Sequence, residues 1–270
     1  MFRFLLKPRW LVLTALVLVL VVVMINLALW QLRRLDERRD TNARIEARQA
    51  EQPVAVEPLL QVDEPLAQAR GNAEWRTIEA TGTYDPTAEV LIRNRSLDGA
   101  PGYHVVTPLV LADGNALLVN RGWIPLSGQA GVAPTVPAPP TGQVTVAGRV
   151  RGSQERGAIG PIDPAEGTLA QLARVDVARI DEQVPYRLLP AYVELTDQQP
   201  VPSQPLPRLL PAPALDDGPH FAYAVQWCIF TVLAVVGWVV LVRRQVLQDR
   251  RRRGPPAPTE QAPAAPVRPV

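Results

Sequence analysis

Cysteine and histidine are nearly absent from the sequence. A single cysteine, Cys228, occurs in 270 residues, together with two histidines, His104 and His220. One cysteine excludes an intrachain disulfide, and three such side chains are too few for an ordinary zinc cluster. A folded domain in this chain must therefore be stabilised by its hydrophobic core and its hydrogen bonds.

The motifs that accompany common enzymatic chemistry are also missing. The sequence has no glycine-rich phosphate loop, no His-Glu-x-x-His, no Cys-x-x-Cys and no Gly-x-Ser-x-Gly. A Ser-His-Asp triad assembled from distant residues stays open, because triads form in space. Basic residues flank apolar runs or occur singly in strands, without interleaved aromatics, which argues against nucleic-acid binding. We expect a protein that is not an enzyme.

Charged residues are missing from two long stretches, residues 10–30 and 220–242. Each stretch holds about 20 residues, enough for a helix to span the hydrocarbon core of a bilayer. Both are predicted to be transmembrane helices. The basic residues ahead of the first stretch resemble the start of a signal peptide, but the apolar run is too long and no small-residue cleavage site follows. We therefore expect an uncleaved anchor.

The basic residues around the two predicted spans give conflicting evidence about which side of the membrane the central domain occupies. Six arginines follow the first span between residues 33 and 48, and six follow the second between residues 243 and 253. The C-terminal group agrees with the basic residues of the N-terminus if both termini are cytoplasmic. We expect a cell-membrane protein with residues 1–9 as a cytoplasmic N-terminus, residues 243–270 as a basic, disordered cytoplasmic tail, and an extracytoplasmic central domain.

The central residues predict a mainly antiparallel β domain, barrel- or sandwich-like, with one short helix. Residues 31–66 are predicted to be a helical extension and linker, residues 67–199 the β domain, and residues 200–219 a proline-rich arm. Strands are predicted at residues 75–81, 89–94, 103–111, 116–124, 143–151 and 191–195, and the helix within residues 168–182. Gly82 is expected to end the first strand, and Pro108 to mark an edge strand or a bulge.

His220 lies at the start of the second predicted span, near the headgroup level. Tyr223 and Trp227 follow it at helical spacing on the same face. Imidazole is a common ligand of haem iron. Haem joins an apolar macrocycle to anionic propionates, and Arg33 and Arg34 could lie within reach of those propionates. Interfacial aromatics and helix-start histidines also occur without any ligand, so these residues alone leave both interpretations open.

Three other groups of residues carry weaker predictions. Asn26, Trp30 and Arg33 share one face of the first span, and Asn26 is expected to find a hydrogen-bond partner on the second span or to lie unpaired near the headgroups. His104 is expected to be an ordinary surface or half-buried strand residue. Residues 121–123, Arg-Gly-Trp, form either a contact surface or a strand end with a bulge.

Four segments, in this order, resemble the surfeit locus protein 1 family of cytochrome c oxidase assembly factors. They are residues 29–33 (Leu-Trp-Gln-Leu-Arg), 102–108 (Gly-Tyr-His-Val-Val-Thr-Pro), 119–125 (Val-Asn-Arg-Gly-Trp-Ile-Pro) and 220–227 (His-Phe-Ala-Tyr-Ala-Val-Gln-Trp). The third segment is the most specific of the four. The resemblance extends over residues 10–242, from one predicted span to the other.

The resemblance implies a non-enzymatic role in maturing the haem-copper subunit of the oxidase, with haem a as a transient cofactor and His220 as its ligand. The implied partners are the catalytic subunit of cytochrome c oxidase or the haem a synthesis machinery, together with the lipid bilayer. An alternative is a membrane-anchored scaffold that binds the nascent subunit without touching haem. A membrane-anchored extracytoplasmic hydrolase is a third interpretation, for which the sequence offers no nucleophile and base.

Overall fold

The computed structural model describes residues 3–126 and 134–252, which fall into two compact units. The first unit contains the residues up to Thr41 and those from Asp216 onward, and the second contains Asn42–Leu215. Most of the predicted C-terminal tail, residues 253–270, lies outside the described residues, as does part of the loop after the fourth predicted strand.

The chain contains four α-helices and eight strands within the described residues. The helices are α1 (Pro8–Ala50), α2 (Leu66–Ala73), α3 (Val177–Asp181) and α4 (His220–Arg252). The strands are β1 (Val54–Ala55), β2 (Thr77–Tyr84), β3 (Val90–Leu97), β4 (Ala100–Leu111), β5 (Ala116–Pro125), β6 (Gln143–Gly152), β7 (Gln171–Leu172) and β8 (Leu188–Gln199). Short 3-10 turns at Arg3–Leu6 and Pro86–Ala88 precede α1 and β3.

The first unit is built from α1 and α4, each long and apolar enough to cross a membrane. In the most apolar 18-residue window of each helix, 11% and 0% of the residues are buried within the protein, whereas a core helix of a soluble protein would be mostly buried. The polar continuation predicted for residues 31–50 belongs to α1 without a break. Helix α4 continues to Arg252, past the predicted end of the span at residue 242.

The second unit is a closed barrel of five strands. The ring runs β2–β6–β8–β5–β4 and closes because β2 pairs with both β6 and β4. Every pair in the ring is antiparallel except β5 with β8. The predicted mainly antiparallel β domain is thus confirmed, and its form is a barrel of the kind seen in OB-folds rather than a sandwich.

Strand β2 runs through Gly82, where the sequence predicted that the strand would end. Gly82 pairs with Leu111 of β4, and a Cβ atom at this position would lie 2.3 Å from the carbonyl oxygen of Val110. A glycine in a strand often marks a close approach of backbone to backbone. Gly82 therefore permits the crossing of β2 and β4 that closes the barrel.

Pro108 does not lie in an edge strand or at a bulge, contrary to its prediction. On one side β4 pairs with β5, and on the other it pairs with β3 up to Val106 and with β2 from Leu109. The Pro108 carbonyl accepts the Asp85 amide at 2.9 Å. Because N and O of a strand residue point to the same side, the missing N–H faces the gap between β3 and β2.

Both faces of β5 are buried, which explains why Ala116–Val119 are all apolar instead of alternating with polar residues. Leu117 and Val119 lie in the core that fills the barrel, and Ala116 and Leu118 lie in a second core outside it. Val177 and Ile180 of α3 contribute to this second core. The barrel wall is therefore covered by a further layer on the α3 side.

Residues 168–182 differ from the single helix predicted there. Residues 171–172 form β7 beside β3, and only Val177–Asp181 is helical. The Asp176 side chain accepts the Arg179 amide at 3.2 Å and so caps α3 at its start. Helix α2 adds a second short helix that the sequence did not predict, and β1 lies within the predicted linker.

Candidate functional site

The His220 side chain lies at the first residue of α4 and is hydrogen bonded to α1. Its Nδ1 atom is 2.8 Å from Oε1 of Gln31. The ring is half-buried, and its Nε2 atom makes no hydrogen bond to any described residue. The hydrogen bond to Gln31 therefore fixes Nδ1 of His220, while Nε2 has no hydrogen-bond partner among the described residues.

Gln31 faces α4 because it belongs to a buried stripe along α1. The stripe consists of Met24, Ala28, Gln31 and Leu35, whose spacings of four, three and four residues follow the helical repeat. Ala28 is 6% exposed, and Ala224, one turn along α4 from His220, is 4% exposed. Small residues at such positions allow two helices to approach closely in a membrane. Gln31 is the polar member of this stripe.

The two aromatic residues predicted to accompany His220 have different surroundings. Trp227 is half-buried and makes an edge-to-face contact with Phe230 at 5.9 Å between ring centroids. Tyr223 is 46% exposed. Trp227 thus lies on the half-buried face of α4 that also carries His220 and Ala224, and Tyr223 lies beside that face.

Arg33 and Arg34 point away from the buried stripe of α1. Arg34 donates to Glu37 at 2.8 Å and lies over the Trp30 ring at 5.8 Å. The Nε atom of Arg33 is 3.4 Å from the Leu29 carbonyl oxygen. Both side chains are exposed and are held by contacts on their own helix.

Asn26 also hydrogen bonds within α1, to the Val22 carbonyl at 2.8 Å. The predicted hydrogen bond from Asn26 to the second span is therefore wrong, and the face of α1 that Asn26 shares with Trp30 and Arg33 is exposed. Sequence reasoning missed Gln31, although the stripe containing Ala28 was a visible signal, since small residues mark helix contacts in membranes.

Two further polar contacts join α1 to α4 and to the turn before α4. The Trp238 indole donates to Thr14 Oγ1 at 3.2 Å, and Arg39 donates to Asp217 at 2.9 Å. Together with the Gln31 contact they lie along most of the antiparallel pair, so the register of His220 opposite Gln31 is supported on both sides. Asp217 belongs to the turn before α4, which the Gly218 amide stabilises by donating to Asp216 at 2.9 Å.

The donor set of this site fits haem better than a bare metal ion. Among the described residues there is no group of three or more His, Cys, Asp or Glu side chains that could hold a metal ion. Haem iron is held by its macrocycle and needs one protein ligand on a face, for which imidazole is a common choice. The open nitrogen of His220 supplies such a ligand.

In the barrel, Arg121 is the extra residue of a β-bulge. Val105 of β4 pairs with Gly122 and Val106 pairs with Asn120, so Arg121 has no partner opposite it. The bulge interpretation of residues 121–123 is confirmed. A bulge re-aims the side chain of the extra residue, and here Arg121 is 4% exposed.

The buried guanidinium of Arg121 is fully engaged by its surroundings. It donates to Glu89 at 2.9 Å and to the Pro137 carbonyl at 2.9 Å, and it lies 5.7 Å from the centre of the Tyr84 ring. Glu89 also accepts the Thr107 hydroxyl at 2.7 Å. Burial raises the pKa of Tyr84 far above its ordinary value, and Arg121 only partly opposes that rise. This cluster stabilises the barrel.

His104 is half-buried and hydrogen bonds to the buried side chain of Asn120. Asn120 Oδ1 accepts the Gly122 amide at 3.2 Å, which directs its Nδ2 group to His104 Nδ1 at 3.2 Å. Burial lowers the pKa of His104 from 6.5 to about 4, and the charge of Arg95 acts in the same direction. His104 is thus a neutral structural residue at physiological pH.

Gly122 and Trp123 hold the predicted proline-rich arm against the barrel. The backbone of Trp123 exchanges two hydrogen bonds of 2.8 Å with Arg208. Gly122 has a φ of +128°, and a Cβ atom there would lie 2.2 Å from the Arg208 carbonyl oxygen. The arm is therefore part of the second unit up to Leu215.

A cavity of about 380 Å³ lies between this arm and the barrel. Arg121 and Gln198 line it, and both are already hydrogen bonded: Gln198 accepts the Tyr84 hydroxyl at 3.1 Å and donates to the Pro200 carbonyl at 3.4 Å. Arg121 and Gln198 thus already have structural partners, whereas the Nε2 atom of His220 makes no hydrogen bond to any described residue.

Comparison with known proteins gives one consistent family. A model of the SURF1 family matches residues 18–232. SURF1-like proteins of Mycobacterium bovis and Mycobacterium tuberculosis are 30% identical to the chain over 259 residues, covering 94% of the chain and 92% of each relative. Surfeit locus protein 1 of Arabidopsis thaliana is 33% identical over 113 residues, covering 38% of the chain and 30% of the plant protein. The family match includes both Gln31 and His220.

Proposed function

The chain belongs to the SURF1 family, whose general role is cytochrome oxidase assembly, and we propose that it is a membrane-anchored assembly factor that holds haem a at His220. The observation that carries this proposal is the half-buried imidazole of His220, with Nδ1 bonded to Gln31 at 2.8 Å and Nε2 open. The proposed role is non-enzymatic: the protein holds the cofactor while the haem-copper subunit matures.

Each residue of the site has a part in this proposal. His220 would ligate the haem iron, and Trp227 and the neighbouring apolar side chains of α4 would contact the macrocycle. Arg33 and Arg34, which lie on the exposed surface of α1, would supply positive charge for the propionates, and Tyr223 would border the site. When bound, haem a supplies the iron that His220 ligates. The catalytic subunit of the oxidase or the haem a synthesis machinery is the proposed partner.

The proposal includes a cell-membrane location with both termini in the cytoplasm and the barrel outside. The exposed apolar surfaces of α1 and α4 support membrane insertion, and the basic residues after α4 support a cytoplasmic C-terminus. A cysteine substituted into the barrel for an exposed residue, in a Cys228→Ala background, tests this orientation. A membrane-impermeant thiol reagent should label it in intact cells.

The cytochrome a absorbance of membranes tests the function. A strain lacking the protein should lose most of that absorbance, and the full chain should restore it. We expect His220→Ala to fail to restore it, whereas Phe221→Ala, a change at the adjacent residue with a 62% exposed side chain, should succeed.

Two outcomes contradict parts of the proposal. Full cytochrome a in the strain without the protein would refute the assembly role. Full restoration by His220→Ala would refute the haem-holding role and favour a scaffold that binds the nascent subunit without touching haem.

A further inference from the structure

The His220–Gln31 contact determines which ring nitrogen carries the proton. A glutamine Oε1 atom can only accept a hydrogen bond, and the 2.8 Å contact to Nδ1 therefore requires a proton on Nδ1. In a neutral imidazole the other nitrogen, Nε2, then has a free lone pair. Metal-bound histidines commonly donate their second ring N–H to such an acceptor.

The surroundings of the ring favour this arrangement. Gln31 is half-buried and lies between the buried residues Ala28 and Leu35, on the face of α1 from which its amide reaches His220. On the other side of the ring, the turn before α4 borders the Nε2 edge: a Cβ atom at Gly218 would lie 3.5 Å from Cδ2 and 3.7 Å from Nε2 of His220, at ordinary van der Waals distance.

We infer that Gln31 is a positioning residue that holds His220 as the Nδ1–H tautomer and so presents Nε2 to the haem iron. The inference rests on the proposed function for the identity of the ligand, but the tautomer is a property of the protein alone. Gln31 acts through His220 and does not itself touch the cofactor.

The second histidine of the chain is an internal reference. The Asn120 amide donates to Nδ1 of His104, so His104 must carry its proton on Nε2. The structure thus predicts opposite tautomers for the two histidines. Because the chain contains no other histidine, their nitrogen signals can be assigned with single His-to-Gln variants.

The experiment records long-range ¹H–¹⁵N spectra of the full chain in lipid nanodiscs, with ¹⁵N-labelled histidine. We expect Nδ1–H for His220 and Nε2–H for His104. Gln31→Leu should convert His220 to a mixture of tautomers, and Gln31→Glu, which keeps an acceptor, should retain Nδ1–H. Asn26→Leu is the matched control, because Asn26 lies on the same helix but hydrogen bonds to Val22. It should leave both histidines unchanged.

A proton on Nε2 of His220 in the wild type, or an unchanged tautomer in Gln31→Leu, would overturn the inference. Titration with ferric iron protoporphyrin IX gives a second readout. Loss of a partner of this kind typically weakens metal binding by about 10- to 100-fold, and we expect that loss in Gln31→Leu but not in Gln31→Glu or Asn26→Leu. If the wild type binds no porphyrin, the haem-holding function fails, and the spectra still decide the role of Gln31.

Discussion

Replacing Arg121 by methionine tests whether the buried cluster of the Val-Asn-Arg-Gly-Trp segment stabilises the barrel. Methionine fills similar space but removes the charge and every hydrogen bond of the guanidinium. Glu89, whose side chain is 15% exposed, would then lose its ion partner and, among the described residues, keep only the Thr107 hydroxyl. The Pro137 carbonyl would lose its donor as well.

The expected loss is large because the remaining carboxylate is shielded from water. Removing one partner of a buried ion pair costs about 3–5 kcal/mol, most of it from the charge that is left unpaired. An exposed pair provides the matched control: Arg208 and Asp98 are 2.8 Å apart with side chains 53% and 69% exposed. Arg208→Met should cost less than about 1 kcal/mol, because water replaces the lost contact.

Hydrogen–deuterium exchange of β4 and β5 peptides, measured on the full chain in detergent, reports the free energy of opening the barrel. A loss of about 3–5 kcal/mol corresponds to a decrease in protection of roughly 10²- to 10⁴-fold. The double variant Arg121→Met with Glu89→Gln should be less destabilised than the sum of the single variants by about 2 kcal/mol, because no unpaired charge remains. Protection of Arg121→Met within tenfold of the wild type, or strict additivity in the double variant, would refute the reasoning.

Two further predictions concern the barrel. The pKa of folded His104 is about 4 while its ordinary value is 6.5, so the unfolded chain binds the proton first as the pH falls. The contribution of His104 to stability should therefore be constant above pH 6.5 and fall by at most about 3 kcal/mol between pH 6.5 and pH 4. Denaturant titrations should show a flatter dependence of stability on pH in His104→Asn, and a dependence identical to the wild type would contradict the assignment. Gly82→Ala should destabilise the barrel by about 1–3 kcal/mol in thermal unfolding, because the new Cβ would lie 2.3 Å from the Val110 carbonyl oxygen. Gly71→Ala is the control: a Cβ atom there has nothing within 4 Å, so the change should be neutral or stabilising.

These predictions separate two effects that substitutions in this protein can have. Changes at Arg121, Gly122 or Trp123 act on the barrel and on the arm held by Arg208, and they should lower the amount of folded protein. Changes at His220 or Gln31 act on the helix pair. An interhelical hydrogen bond in a membrane is worth about 0.6 kcal/mol on average, so these changes should affect the site while the fold is retained.

The sequence by itself determined the parts of the protein that depend on local pattern. Two uncharged stretches predicted α1 and α4, since a helix that meets lipid on all sides must be apolar throughout. The local pattern of apolar residues and turn residues predicted all six long strands within a few positions, because strand periodicity is a property of consecutive residues. The position of His220 at the start of an apolar helix made it a candidate ligand, and that role stays a prediction.

Only the tertiary structure decided which residues meet across elements. The rotation of α1 about its axis is set by packing against α4, and it placed Gln31 rather than Asn26 opposite His220. The closure of the sheet gave Gly82 its role, and the bulge at Arg121 directed a charged side chain into a buried position. Each outcome depends on two segments that are distant in sequence. Packing and hydrogen bonding between the two segments determine their relative placement, and the residue pattern of either segment alone does not.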